Sequence, residues 1–304
     1  MADSLGNKRK LPMRKTERMV NAADGTGLFV RHYAPAVADA PRTLVIVHGA
    51  SEHGGRYEHV AAEFVERGWN VVAADLRGHG QSGGRRTHVS HFHRYVTDVA
   101  SILDALELPA KQTALLGHSM GGLVSIRFAQ YFSRRVACLV TMSPLLGLNV
   151  EISKATLVVG KMLSVIAPRW RFRTRVNPED TTRSPEFLEQ RFNDPLIHRS
   201  VTAGWFYEMK RALRSAWCDA HKLTLPLLVM QAGQDRIVDP DVVEPWLLTS
   251  GSTDVTYRCL PDCLHELLNE PDWRTTAASI ADWLHERIGC AAAHASDGSA
   301  GESR

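Results

Sequence analysis

From residue 43 to residue 260 the chain repeats one arrangement, a short apolar run followed by a longer stretch with apolar residues at helical spacing. The runs lie at 43–47, 70–74, 113–116, 136–142, 227–231 and 255–260. They are apolar throughout rather than alternating, as strands must be when helices cover both faces of a sheet. Helical stretches at 57–67, 92–106, 120–132, 241–248 and 273–287 fit between or after them. The pattern predicts an α/β fold with a mostly parallel sheet and helices on both faces. Two earlier runs, 18–21 and 28–33, flank Asp24-Gly25-Thr26-Gly27 and read as an opening hairpin.

Between Pro144 and Gly204 the alternation stops. One apolar helical stretch (Leu157, Val158, Met162, Leu163, Val165, Ile166) gives way to Pro168, then Arg169, Arg171, Arg173 and Arg175, then polar turns. An insertion of this size between two strands predicts a separate helical cap over the strand ends. Its helix is apolar on more than one face, which suits either packing on the core or a face left for lipid or a long apolar substrate. The division is then a basic N-terminal arm at 1–15, a core from 16–144 and 205–288, a cap insertion at 145–204, and a tail at 289–304 with too little apolar surface to fold.

Composition narrows the function classes. The 304 residues are 44% hydrophobic and 23% charged, enough for one large core and unlike collagen or a disordered chain. A net charge of +3 is too small for nucleic acid to be the main partner. Basic charge is local, in the arm (Lys8, Arg9, Lys10, Arg14, Lys15, Arg18) and in the cap arginines, where it reads as a solvated segment or as a contact for an anionic surface. No apolar run approaches the ~20 residues needed to span a bilayer, and none follows the arm as in a secretory signal. The expectation is a cytoplasmic protein, with peripheral membrane contact through cap or arm as an added option. Cys138, Cys218, Cys259, Cys263 and Cys290 have no paired spacing, which predicts free thiols and no metal, with a redox effect near Cys259 and Cys263 as the alternative.

Gly117-His118-Ser119-Met120-Gly121 follows one apolar run directly and opens a helical stretch. A G-x-S-x-G sequence there predicts a sharp strand-to-helix turn that lifts the serine clear of the sheet and aims backbone N–H groups at the same spot. A serine is a poor nucleophile unless a base takes its proton and an acid orients that base. In this fold the order is serine, acid, histidine, and Asp235 and His265 each lie just past a strand, where such sheets gather their sites. Asp239, before Pro240, is the rival acid and reads better as a helix cap. The oxyanion of acyl transfer needs N–H donors, which Ala50 in His48-Gly49-Ala50 and Met120 would supply; His48 reads as structural.

Taken together, Val47-His48-Gly49-Ala50-Ser51-Glu52-His53-Gly54-Gly55-Arg56-Tyr57, Asp75-Leu76-Arg77-Gly78-His79-Gly80-Gln81-Ser82, Gly117-His118-Ser119-Met120-Gly121-Gly122, Asn193-Asp194-Pro195-Leu196 and the Asp235 and His265 loops resemble the monoacylglycerol lipase and lysophospholipase family of α/β-hydrolases. The resemblance runs from about residue 17 to residue 288. It implies a Ser-His-Asp esterase without a cofactor, whose cap covers an apolar acyl tunnel and which acts on single-chain lipid esters. By position it implies Ser119, Asp235 and His265 as the triad, Ala50 and Met120 as oxyanion donors, and Glu52 and Arg56 as polar residues near the head-group end, either touching substrate or pairing with each other. Ser51 stands where the best-known monoacylglycerol lipases have a second glycine, Leu268 where they have a second histidine, and Gln190-Arg191-Phe192 lacks their tyrosine. These departures touch glycerol recognition and spare the triad. A short-chain esterase, thioesterase, amide hydrolase or acyltransferase would use the same triad, and a non-catalytic binding protein would need none of it. Oligomeric state is not legible.

Overall fold

The structure is a computed structural model, and it describes residues 12–37, 40–150, 153–174 and 176–288. Lys8, Arg9 and Lys10 of the expected arm, and the whole expected tail, lie outside the described residues. An eight-stranded sheet forms the frame: β1 (Met13–Asn21), β2 (Gly27–Pro35), β3 (Thr43–Val47), β4 (Asn70–Ala74), β5 (Thr113–His118), β6 (Cys138–Met142), β9 (Leu227–Ala232) and β10 (Val255–Leu260), in the order β1-β2-β4-β3-β5-β6-β9-β10. Only the β1–β2 and β2–β4 pairings are antiparallel. This is the α/β-hydrolase fold expected from the sequence.

The central strands β3, β5, β6 and β9 are buried along their whole length, which explains their unbroken apolar character. Helices α1 (Glu58–Glu66) and α8 (Trp273–Ile288) cover one face of the sheet. Helices α2 (His93–Ala105), α3 (Met120–Tyr131) and α7 (Val243–Leu247) cover the other, together with α6 (Ala203–Cys218).

Strand β1 begins at Met13, earlier than the hairpin predicted from residue 18 and inside the segment assigned to the arm. Met13, Arg14 and Lys15 are therefore part of the sheet. Charged residues along its exposed side masked the strand pattern and suit an edge, where they discourage pairing with another sheet. Lys15 is held by Glu17 and Glu58 at 3.2 and 2.8 Å.

The chain between β6 and β9 holds α4 (Lys154–Ile166), β7 (Arg171–Arg173), α5 (Pro185–Asn193), β8 (Ser200–Thr202) and α6. The sequence pattern predicts α4 and polar turns after it as far as about residue 204, and assigns no element to 205–218. The ribbon β7–β8 and the helix α5 are too short and polar to show a period, whereas α6 buries Trp205, Met209, Ala212 and Ala216 at helical spacing. Of α4 only Gly160 is buried, closely against the Tyr207 ring, and the helix leaves a face to solvent.

Two loops over the strand ends are tied by a buried ion pair. Arg31 (4% exposed) reaches Asp75 (0%) at 2.6 Å, and Asp75 also accepts from Gly54 N–H and Gln81 N–H, each at 2.8 Å. Gly80 crosses so close to this carboxylate, with φ +46°, that a side chain there would collide with it. Burial works against the Asp75 charge, but the Arg31 bond and nearby positive charge outweigh it and hold the carboxyl below its ordinary range. Its contribution to stability is thus present at neutral pH and lost as pH falls through that depressed value. Asp75→Ala, which strands a buried guanidinium, is expected to cost about 3–5 kcal/mol. Urea unfolding at pH 7 checks this, and a loss below about 1 kcal/mol would mean that Arg31 finds water instead.

Candidate active site

Ser119 sits between β5 and α3 with φ +53°, a conformation that a non-glycine residue holds only when its surroundings impose it. The surroundings do so here. Ser119 N–H donates to Met142 O at 3.0 Å, and Ser119 O accepts from Leu123 and Leu145 N–H. A side chain on Gly121 would collide with the carbonyls of Val47 and His48, and one on Gly117 with Gly121 O. Both flanking glycines are therefore required by close backbone approach.

Asp235 and His265 come together at the ends of β9 and β10. His265 Nδ1 lies 2.7 Å from Asp235 Oδ2, and Asp235 Oδ1 accepts from Ile237 and Val238 N–H, both at 2.9 Å. Both side chains are buried. Burial alone would raise the Asp235 carboxyl, but the His265 charge and hydrogen bond and the two N–H groups hold it below its ordinary range. It is thus an acceptor that fixes the imidazole with Nε2 free. Ser119 and His265 line one cavity without a hydrogen bond between them; such bonds often tighten only with substrate in place. Asp239, the rival acid, points away and caps the next turn by accepting from Asp241 N–H at 3.0 Å.

Ala50 lines the same cavity, and Met120 opens α3 directly after the serine. Neither N–H donates to another group among the described residues. Gly49 places its backbone against Ser119, where an added Cβ would lie 3.4 Å from the serine Cβ. His48 is fully buried below the loop, with Nδ1 at 2.7 Å from Gly49 O and Nε2 accepting from Leu76 N–H at 2.9 Å.

Glu52 and Arg56 bond to each other at 2.5 Å and belong to a buried network. Arg56 also donates twice to Glu266, at 3.1 and 2.8 Å, and Arg191 of α5 donates to Glu266 at 2.7 Å. Glu52 further accepts from Gly49 N–H, Tyr57 O–H and His118 Nδ1. Burial opposes every charge in the network. The paired cations nonetheless hold Glu52 well below the ordinary range and Glu266 at about 2. For His118, burial is outweighed by its bond to Glu52, so its imidazole is raised, and its ring packs on that of His265 at 4.8 Å. The sequence reading missed Glu266, Arg191 and His118. Only the position of Glu266 beside His265 and of His118 beside Ser119 could have signalled two of them.

The cavity has a volume of about 750 Å³. Leu145, Leu148, Val201, Phe206, Met209 and Val238 line its apolar part, and the Glu52–Glu266 side is polar. Among the described residues no cluster of His, Cys, Asp and Glu could hold a metal ion, and no helix is long and apolar enough to cross a membrane.

Comparison with known proteins agrees with this architecture. A family model described as Hydrolase_4, serine aminopeptidase S33, matches residues 38–272. Phospholipase YtpA of Bacillus subtilis is 36% identical over 238 residues, covering 77% of this chain and 92% of the relative. Monoglyceride lipase of Homo sapiens is 32% identical over 293 residues, covering 93% of this chain and 94% of the relative. The crystal structure of Paleococcus ferrophilus monoacylglycerol lipase superposes with a TM-score of 0.77 at 24% identity, over 90% of this chain and 99% of that one. The chain belongs to the Hydrolase_4 family of α/β-hydrolases.

Proposed function

We propose that the protein is a serine carboxylic ester hydrolase acting on single-chain lipid esters. The observation that carries this is the 2.7 Å His265–Asp235 bond beside a strained Ser119 in a largely apolar cavity. Relatives named phospholipase and monoglyceride lipase support the substrate class. Ser119 Oγ attacks the ester carbonyl while His265 Nε2 takes its proton and Asp235 holds the imidazolium. The N–H groups of Ala50 and Met120 receive the oxyanion. The tetrahedral intermediate expels the alcohol, which takes the proton from His265, and water repeats the sequence on the acyl-enzyme. Glu52 and Arg56 act as positioning residues for the oxyanion loop and the His265 loop. An ester rather than a peptide suits the cavity, because an aminopeptidase must hold a free ammonium and both Glu52 and Glu266 are already committed to cations.

The cap reads as a membrane-contacting surface. Helix α4 turns Thr156, Leu157 and Gly160 to the cavity and leaves Val158 (70% exposed), Met162, Val165 (71%) and Ile166 in solvent at helical spacing. Lys154, Lys161 and Arg169 flank that face, as on helices that lie in a lipid interface. A lipid ester would then enter from the surface that holds it.

Ser119→Ala is expected to lower kcat for fatty-acid release from a monoacylglycerol by about 10⁶-fold and to abolish labelling by a fluorophosphonate; near-normal turnover in the folded variant would sink the assignment. Glu266→Gln, which leaves Arg56 and Arg191 short of one buried charge, is expected to cost about 3–5 kcal/mol at pH 7. Because the folded carboxyl is depressed, the cost fades as pH falls from about 4.3 toward 2, and urea titrations along that range check the sign. Val158→Asp with Val165→Asp is expected to weaken co-sedimentation with phosphatidylcholine–phosphatidylglycerol vesicles by more than about tenfold; unchanged binding would remove the cap from the contact.

A further inference from the structure

The buried ring of His118, the residue before Ser119, meets a hydrogen-bond acceptor on each side. Its Nδ1 lies 3.1 Å from Glu52 Oε1, and its Nε2 lies 3.3 Å from the backbone carbonyl of His265. The carbonyl can only accept, so Nε2 carries a proton. Glu52 is an acceptor on both oxygens, since Oε1 takes Gly49 N–H and Oε2 takes the Arg56 guanidinium, each at 2.5 Å. A proton on Oε1 would leave the carboxyl uncharged beside that guanidinium, so Nδ1 carries a proton as well. A neutral imidazole would turn a lone pair on one of the two oxygens. The partners therefore specify an imidazolium.

The titratable groups around the ring agree with that charge. On the loop after β3 it faces Glu52, with Arg56 and Tyr57 behind; on the loop after β10 it faces His265 and Glu266, with Asp235 and Arg191 behind. With His118 charged, the cations Arg56, Arg191 and His118 balance the carboxylates Glu52, Glu266 and Asp235, and His265 is left neutral as the base. Burial opposes the charge and the Glu52 bond outweighs it, so the imidazole is raised above its ordinary value. The ring is also tightly held. It packs on the His265 ring with centroids 4.8 Å apart, and a side chain on Gly49 would collide with Glu52 Oε1 and press on His118 Nδ1.

Resting on the ester-hydrolase reading of Ser119, we propose that His118 is a positioning residue of the reaction, an imidazolium strut with one N–H on Glu52 of the oxyanion loop and the other on the His265 carbonyl. Three parts of the site are thereby referred to one rigid ring. The oxyanion loop is held through Glu52, whose Oε1 also takes Gly49 N–H; the base is held through its own backbone; and the nucleophile is the next residue in the chain. An amide side chain offers donors on one nitrogen only and cannot span both acceptors. Because the folded imidazole is raised, both bonds persist at neutral pH and one is lost as pH rises through that raised value.

The test uses the full chain with its histidine nitrogens isotopically labelled, followed by NMR beside p-nitrophenyl octanoate hydrolysis from about pH 6 to 9.5. At about pH 7 both ring nitrogens of His118 are expected to carry a proton, and kcat/KM is expected to fall at alkaline pH with the midpoint at which one proton leaves. His118→Asn keeps a donor near the place of Nδ1 and His118→Gln one near that of Nε2. Each should lower kcat about ten- to hundredfold with KM changed less than about twofold, and each should abolish the alkaline fall, since neither side chain titrates. Fluorophosphonate labelling carried to completion reports the folded fraction of each variant. Should His118 keep both protons to the top of the range, Glu52→Gln should bring the proton loss and the fall in rate down into it, because the carboxylate that favours the charge is gone. A single ring proton at about pH 7, a proton loss that the rate does not follow, or variants that keep kcat or the alkaline fall overturn the strut and leave Ser119 as nucleophile. An unmodified chain that neither hydrolyses the ester nor takes the fluorophosphonate overturns the hydrolase reading and the strut with it.

Discussion

The arrangement depends on how closely α3 can start beneath the end of β3. Gly121 lies against the carbonyls of Val47 and His48, and Gly117 against Gly121 O, with no room for a side chain at either. Because the helix begins there, Ser119 takes its left-handed conformation and stands at the C-terminal end of the central strand β5. The same approach brings the Gly49–Ala50 backbone beside the serine. One steric condition therefore aligns a side chain and two sets of backbone N–H groups. The backbone bonds of Ser119 to Met142, Leu123 and Leu145 then hold the turn in place.

A second constraint joins segments far apart in the chain. Glu52 and Arg56 follow β3, Glu266 follows β10, His118 ends β5, and Arg191 belongs to the cap helix α5. All these charges are buried, and desolvation makes such a network a weak source of net stability. What it supplies is register. His265 is flanked by Glu266, so pinning that carboxylate from three sides fixes the loop that carries the imidazole. The Arg191 link also couples the cap to that loop.

The core of the fold was legible because its strands are buried on both faces and its helices are amphipathic, two signals that survive in composition alone. The positions of Ser119, Asp235 and His265 beyond strand ends were legible for the same reason, since a strand end is where an apolar run stops. Other features were not. β1 was read short because its edge position favours charge, and the sheet claims Arg14 and Lys15 from the expected arm. The cap ribbon and α5 are too short to show a period, and α6 was overlooked although Trp205, Met209 and Ala216 carry one. Glu266 and Arg191 matter only through partners distant in sequence, a relation that spacing does not record.

The cap brings two different surfaces to the cavity. Through α4 it contributes apolar residues to the interior and presents an apolar face outward. Through α5 it contributes the Arg191 guanidinium to the polar end. A single-chain amphiphile has the same division, and a cavity of about 750 Å³ is within the range of pockets that enclose a ligand of that size. The insertion is also tied to the loops that carry the site: Arg191 donates to Glu266, Thr181 O accepts from Glu266 N–H at 2.8 Å and Asn149 Nδ2 donates to Asp235 O at 2.9 Å, so a change in the cap is transmitted to the Asp235 and His265 loops.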